Sequence, residues 1–114
     1  MAGGRRGSAT NAPLLPFIKS NQFERDYAYA CSNPKLRELT SQVWAFLELI
    51  RKKEQPPPEF VTHPMKGTWK GYSDTHIAND LVLIWRYETH IDCNQIKREF
   101  VVLYALGTHA YLGI

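Results

Sequence analysis

The chain has 114 residues and a formal net charge of +3, with 44% apolar and 22% charged residues, so it can bury one modest core but not two. No run approaches the ~18 apolar residues of a membrane span, and Met1–Thr10 lacks the apolar centre of a signal peptide, which makes the cytoplasm the expected compartment. Cys31 and Cys93 form no C-x-x-C pair, which leaves thiolate zinc and redox motifs unsupported, and a pI near 9.0 permits an RNA or acidic partner without requiring one.

Residues 1–13 are rich in Gly, Ala, Ser and Arg and read as a disordered tail, leaving residues 14–114 as a single domain. Leu15–Lys19 is a short apolar run suited to a first strand, with Pro16 at its start. Ser20 or Asn21 can cap a following helix, in which Phe23, Tyr27 and Ala30 share one face. Asn33-Pro34 signals a second start, and Leu36, Leu39, Val43, Leu47 and Ile50 then step by three or four residues towards Lys53. Pro56-Pro57-Pro58 ends that helix and imposes an extended connector.

The period then changes. Trp69–Ile77 is rich in aromatic and β-branched residues and is expected to be a strand; Ala78-Asn79-Asp80 is a turn. Leu81–Tyr87 reads as a central apolar strand, Glu88–Gln95 as a long polar loop, and Ile96–Leu106 as another strand broken by Gly107. His109–Ile114 is expected to be a short last strand or tail. The order β-α-α-β-β-β predicts an α+β domain, with a two-helix hairpin packed on a twisted, mainly antiparallel sheet of four to five strands.

His63, His76 and His109 lie beside small turns in the sheet half, and His90 in the polar loop. Histidine titrates nearest neutral pH, so a cluster can supply both a base and an acid. Strand alternation places Lys70, Tyr72, Asp74 and His76 on one face, and the turn returns Asp80 near His76. Pro64 restricts His63 to an extended backbone. Taken singly, each histidine is more often a structural hydrogen-bonder, Asp80 a turn former, and Trp69, Tyr72 and Trp85 packing residues. The chemistry requires His63, His76, Asp80 and His109 to converge. A metal site on the same residues is a weaker alternative, because no H-E-x-x-H or His-x-His spacing supports it.

The stretch His63-Pro64-Met65-Lys66-Gly67-Thr68-Trp69-Lys70-Gly71-Tyr72-Ser73-Asp74-Thr75-His76-Ile77 resembles the signature of YafQ-type toxins of the RelE/ParE superfamily, H-P-L-x-G-x-W-K-G-x-R-D-x-H-[IV]. Asp80 matches the acid in the following turn, and Gly107-Thr108-His109 the closing G-T-H. The resemblance implies a RelE-like fold and a type II toxin that cuts messenger RNA in the ribosomal A site. The cut would use the RNA's own 2′-hydroxyl, without a metal or other cofactor. His63, His76, Asp80 and His109 would be catalytic, with Asp74 in support. His76 or His63, oriented by Asp80, would be the base and His109 the acid. A small, acidic, DNA-binding antitoxin would neutralise the toxin.

Besides an extra tail before Leu14 and a Glu88–Gln95 loop longer than the family's tight hairpin, the chain departs from the family at two functional positions. Tyr104-Ala105-Leu106 stands where the family carries an arginine, with Ala105 in its place, which leaves phosphate binding to Lys70, Arg86 or Arg98. The family's aromatic near the end is also absent, so Tyr111 would be the base-stacking residue. The alternative function is a non-catalytic toxin fold that only binds an antitoxin or another protein.

Overall fold

A computed structural model describes residues 14–114; the expected tail, residues 1–13, lies outside the described residues. Strand β1 (Phe17–Lys19) leads into helix α1 (Asn21–Ser32), and helix α2 spans Thr40–Arg51. Strands β2 (Val61–Pro64), β3 (Ser73–Ala78), β4 (Leu81–Ile91) and β5 (Lys97–Gly107) follow, and a single turn of helix, α3 (His109–Leu112), ends the fold. The strands form one five-stranded sheet in the order β1-β5-β4-β3-β2. β1 pairs parallel with β5 and every other pair is antiparallel. The α+β class and the mainly antiparallel sheet are as expected.

Ser20 caps α1 by accepting the Phe23 N–H at 2.9 Å, while its hydroxyl donates to the Tyr104 carbonyl at 2.6 Å, so one side chain ties the helix start to β5. α1 buries Phe23, Asp26 and Ala30; α2 buries Thr40, Val43, Phe46, Leu47 and Ile50. Both helices pack on one face of the sheet, against Ile77, Leu81, Leu83, Trp85, Val101, Leu103 and Leu106. Thr75 is buried among them and meets its polar needs through Trp85 Nε1 and the Thr62 hydroxyl.

Four expectations are corrected. The second helix starts at Thr40 rather than at Pro34. Asn33 ends α1, its side chain accepts the Lys35 N–H, and a 3₁₀ turn at Arg37–Leu39 intervenes. Trp69–Gly71 is a turn and not strand, because Gly67 and Gly71 adopt φ of 67° and 97°, and β3 begins only at Ser73. The polar stretch from Glu88 continues β4 to Ile91, pairing with Lys97–Phe100, and the loop shrinks to a turn in which Asp92 accepts the Asn94 and Ile96 N–H groups. The last segment is helical: Thr108 caps α3 by accepting the Tyr111 N–H. Val61–Pro64, where the sequence suggests only an extended backbone at His63, is the edge strand.

Candidate active site

The sheet face turned away from the helices carries the site. Two cross-strand rows organise it. One runs His63–Asp74–Ile84–Ala105, the next Val61–His76–Val82–Gly107, with Thr108 and His109 following directly. Neighbouring strands lie about 4.8 Å apart, so residues distant in sequence become neighbours. His63 is placed by edge strand β2, His76 by β3, Asp80 by the β3–β4 turn and His109 by the first position of α3.

The three expected histidines converge. The His63 and His76 ring centroids are 5.9 Å apart, and those of His76 and His109 are 4.8 Å apart, with His76 in the middle. Each outer ring has a carboxylate. His63 Nδ1 lies 3.5 Å from Asp74 Oδ1, and His109 Nδ1 is hydrogen-bonded to Asp80 Oδ1, which also accepts the His109 backbone N–H at 3.4 Å. The hydrogen bond from the His109 ring is the main reason the Asp80 carboxyl is held below the usual aspartate range. Asp80 thus orients His109, whereas the sequence suggests that it would orient His76 or His63. Asp74 Oδ1 is buried without a hydrogen-bond partner, an uncommon state for a carboxylate oxygen. One ligand atom each from His63, Asp74 and His76 lies within 4.8 Å of the other two, a donor set that suits a transition metal.

A second cluster flanks the histidines on the same face. Tyr104 occupies a β-bulge, since Ile84 pairs with Ala105 and Trp85 with Leu103. Its ring packs edge-on against Trp69 at 5.2 Å and Tyr72 at 5.1 Å, and the Arg86 guanidinium sits 4.4 Å over Tyr72. Arg86 also donates to Glu88 at 2.7 Å. A groove of about 450 Å³ beside this cluster is lined by Gln22, Trp69, Tyr104, Ala105, Tyr111 and Leu112. Lys70 is exposed at the end of the Gly67–Trp69 turn.

Two expected RNA contacts lie apart from the histidines: Arg98 at the far end of β5 and Tyr111 on the wall of that groove. Arg98 pairs with Asp92 at the hairpin tip, 3.1 Å from it. At ~3.3 Å per residue this is about 30 Å from the Gly107 end of β5. Tyr111 turns from the histidines towards α1: its ring stacks on Tyr29 at 5.2 Å and its hydroxyl donates to Asp26 at 2.8 Å. That bond is the main reason the Tyr111 hydroxyl is held above its usual range. His90 lies far along β4, beside Glu88.

Two residues of this region do not stand out in the sequence reading. Tyr104 carries no signal, because a bulge depends on the partner strand. Asp26 does carry one: it stands three residues after Phe23 and four before Ala30, inside the apolar stripe of α1.

Comparison with known proteins places the fold in a known family. The messenger RNA interferase toxin YafQ of Escherichia coli K12 is 30% identical over 67 residues, 59% of this chain and 71% of that protein. The crystal structure of the E. coli DinJ–YafQ toxin–antitoxin complex superposes with a TM-score of 0.64 at 25% identity, covering 88% of this chain and 98% of that one. A copper-bound mutant toxin from Helicobacter pylori gives 0.65 at 26% identity, covering 87% and 99%. Fold and comparisons together define a bacterial toxin of a type II toxin–antitoxin system. The chain belongs to the YafQ family of these toxins, whose model matches residues 16–113. Among the described residues no helix is long and apolar enough to cross a membrane.

Proposed function

We propose that this toxin is an endoribonuclease that cuts messenger RNA on the ribosome by proton transfer between histidines. The observation that carries the reading is the line of three imidazoles, His63–His76–His109, on the open sheet face with a carboxylate at each end. In this reading a base, His76 or His63, removes the proton of a ribose 2′-hydroxyl. The oxygen attacks the adjacent phosphorus and the bond to the 5′-oxygen breaks. His109 gives that oxygen its proton, leaving a 2′,3′-cyclic phosphate and a 5′-hydroxyl. Asp80 holds the His109 ring by Nδ1, which leaves Nε2 for the leaving group. Asp74 supports His63. Arg86 and the exposed Lys70 supply positive charge for the phosphates where the family's arginine is replaced by Ala105. The partner is a small, acidic antitoxin, in keeping with the DinJ–YafQ complex of the relative, and the compartment is the cytoplasm. The folding unit is residues 14–114.

The test is cleavage of messenger RNA on translating ribosomes by toxin freed from its antitoxin. His109→Ala and His76→Ala should each lose ~10²–10⁴-fold in rate with the fold intact. Full activity in both variants sinks the proposal. A toxin that only binds its antitoxin would leave growth untouched when expressed alone, whereas the nuclease arrests it.

The compact His63–Asp74–His76 donor set, with a copper-bound relative, favours one second reading: metal binding at the same residues. A metal there would occupy the nitrogens that the proton-transfer scheme requires. Nuclease activity should therefore survive a chelator and fall when copper or zinc is added.

A further inference from the structure

Among the described residues Asp26 is the one charged side chain in the buried set, with no exposed surface, and the proton-transfer scheme above does not use it. Its neighbours on the inner face of α1, Phe23 and Ala30, are apolar. A carboxylate in such a place is tolerated only when its oxygens are fully bonded. Oδ2 accepts the Leu106 backbone N–H at 2.9 Å, and Oδ1 accepts from Gln22 Nε2 at 2.7 Å and from the Tyr111 hydroxyl at 2.8 Å. Two of these donors lie 80 and 85 residues further along the chain. They bracket Gly107-Thr108-His109.

The surrounding geometry narrows the path of that segment. Tyr111 is held on its ring face by Tyr29, at an interplanar angle of 6°. The ring passes so close to Gly107 that a Cβ there would stand 2.5 Å from Tyr111 Cδ2, which explains glycine at this position. Thr108 then turns the chain into α3. His109 leaves this clamped segment with one ring orientation to satisfy: Nδ1 on Asp80 and the ring 4.8 Å from His76.

We propose that Asp26 is a positioning residue for His109, fixing the backbone on both sides of it by holding Leu106 and Tyr111 at once. The catalytic consequence rests on the nuclease reading; the positional one does not. A misplacement of ~1 Å at a reacting group can cost ~10²-fold in rate.

Two variants test this. Tyr111→Phe keeps the ring and its stacking on Tyr29 but loses the bond to Asp26. Asp26→Asn keeps the shape and removes the charge. Both are compared with wild type by near-ultraviolet circular dichroism, by steady-state cleavage of ribosome-bound messenger RNA, and by the ¹H–¹³C imidazole resonances of the histidines. The expected result for folded variants is a kcat lowered about 10–100-fold with KM almost unchanged. The His109 resonances should move, and those of His63, held on the other side by Asp74, should not. A role confined to fold stability would lower the melting temperature and leave kcat and the His109 resonances of the folded protein as they were. That result in Tyr111→Phe overturns the proposal, and this variant decides alone if Asp26→Asn does not fold. Should wild type cut no RNA, the nuclease reading falls, and the imidazole resonances alone decide the role of Asp26.

Discussion

The two faces of the sheet are built from the same strands and are governed by different physics. On β4, Leu81, Leu83 and Trp85 enter the helix-covered core, while Val82, Ile84 and Arg86 face the other way, beneath the histidine and aromatic clusters. The first face is defined by volume, since Phe46, Leu83 and Leu103 have no exposed surface. The second is defined by directed contacts: a ring on a carboxylate, a guanidinium on a tyrosine. Substitutions on the first face should therefore act through stability, and those on the second through chemistry.

The largest expected departure is on the open face. Alongside the histidine variants above, the double change His76→Ala with His109→Ala should cost little more in rate than the worse single one, because in the proposed scheme base and acid act as a unit. Fully additive losses would mean that the two rings do not share a step. Melting temperatures should stay close to wild type, since both rings are partly exposed. The covered face should behave in the opposite way. Phe46→Ala deletes a ring packed against Phe60 and Trp85 and should destabilise by about 3–5 kcal/mol. Denaturant unfolding measures this, and activity per folded molecule should remain.

Smaller effects sharpen the picture. Asp80 is held below its ordinary range chiefly by the His109 ring, so the pair is complete above the usual aspartate range and lost as pH falls through the depressed value. The carboxyl ¹³C resonance of Asp80 should titrate below a free aspartate and return towards it in His109→Ala; an ordinary midpoint in wild type would remove the pairing. Least affected should be Arg98→Ala, because Arg98 reaches only Asp92 at the hairpin tip. Its cleavage rate should match wild type, and a large loss would show that the RNA path extends the length of β5.

The repeating parts of the fold are legible in the sequence. α1 and α2 announce themselves by apolar steps of three and four, and β4 by its continuous apolar run. Edge strand β2 escapes such a reading because all four of its residues are exposed, leaving no alternation to see. The outer half of the β4–β5 hairpin escapes it for the same reason: Glu88 to Ile91 extends past the core and has the composition of a loop. The three histidines are legible as a set because turns, a proline and a family motif surround them. Their pairing with carboxylates is not. Asp80 follows His76 closely in sequence, yet the turn at Asn79, with φ of 50°, delivers it to His109 instead. Tyr111 illustrates a similar limit, since its partner Asp26 lies at the opposite end of the chain.

The central claim is that three imidazoles, and no metal, move the protons that cut RNA. The most direct measurement is the chemistry of the cut ends on translating ribosomes in the presence of a chelator. The account predicts 2′,3′-cyclic phosphate or 3′-phosphate on one fragment and 5′-hydroxyl on the other, at an undiminished rate. Ends bearing 3′-hydroxyl and 5′-phosphate, or cutting that stops with the chelator, would contradict it.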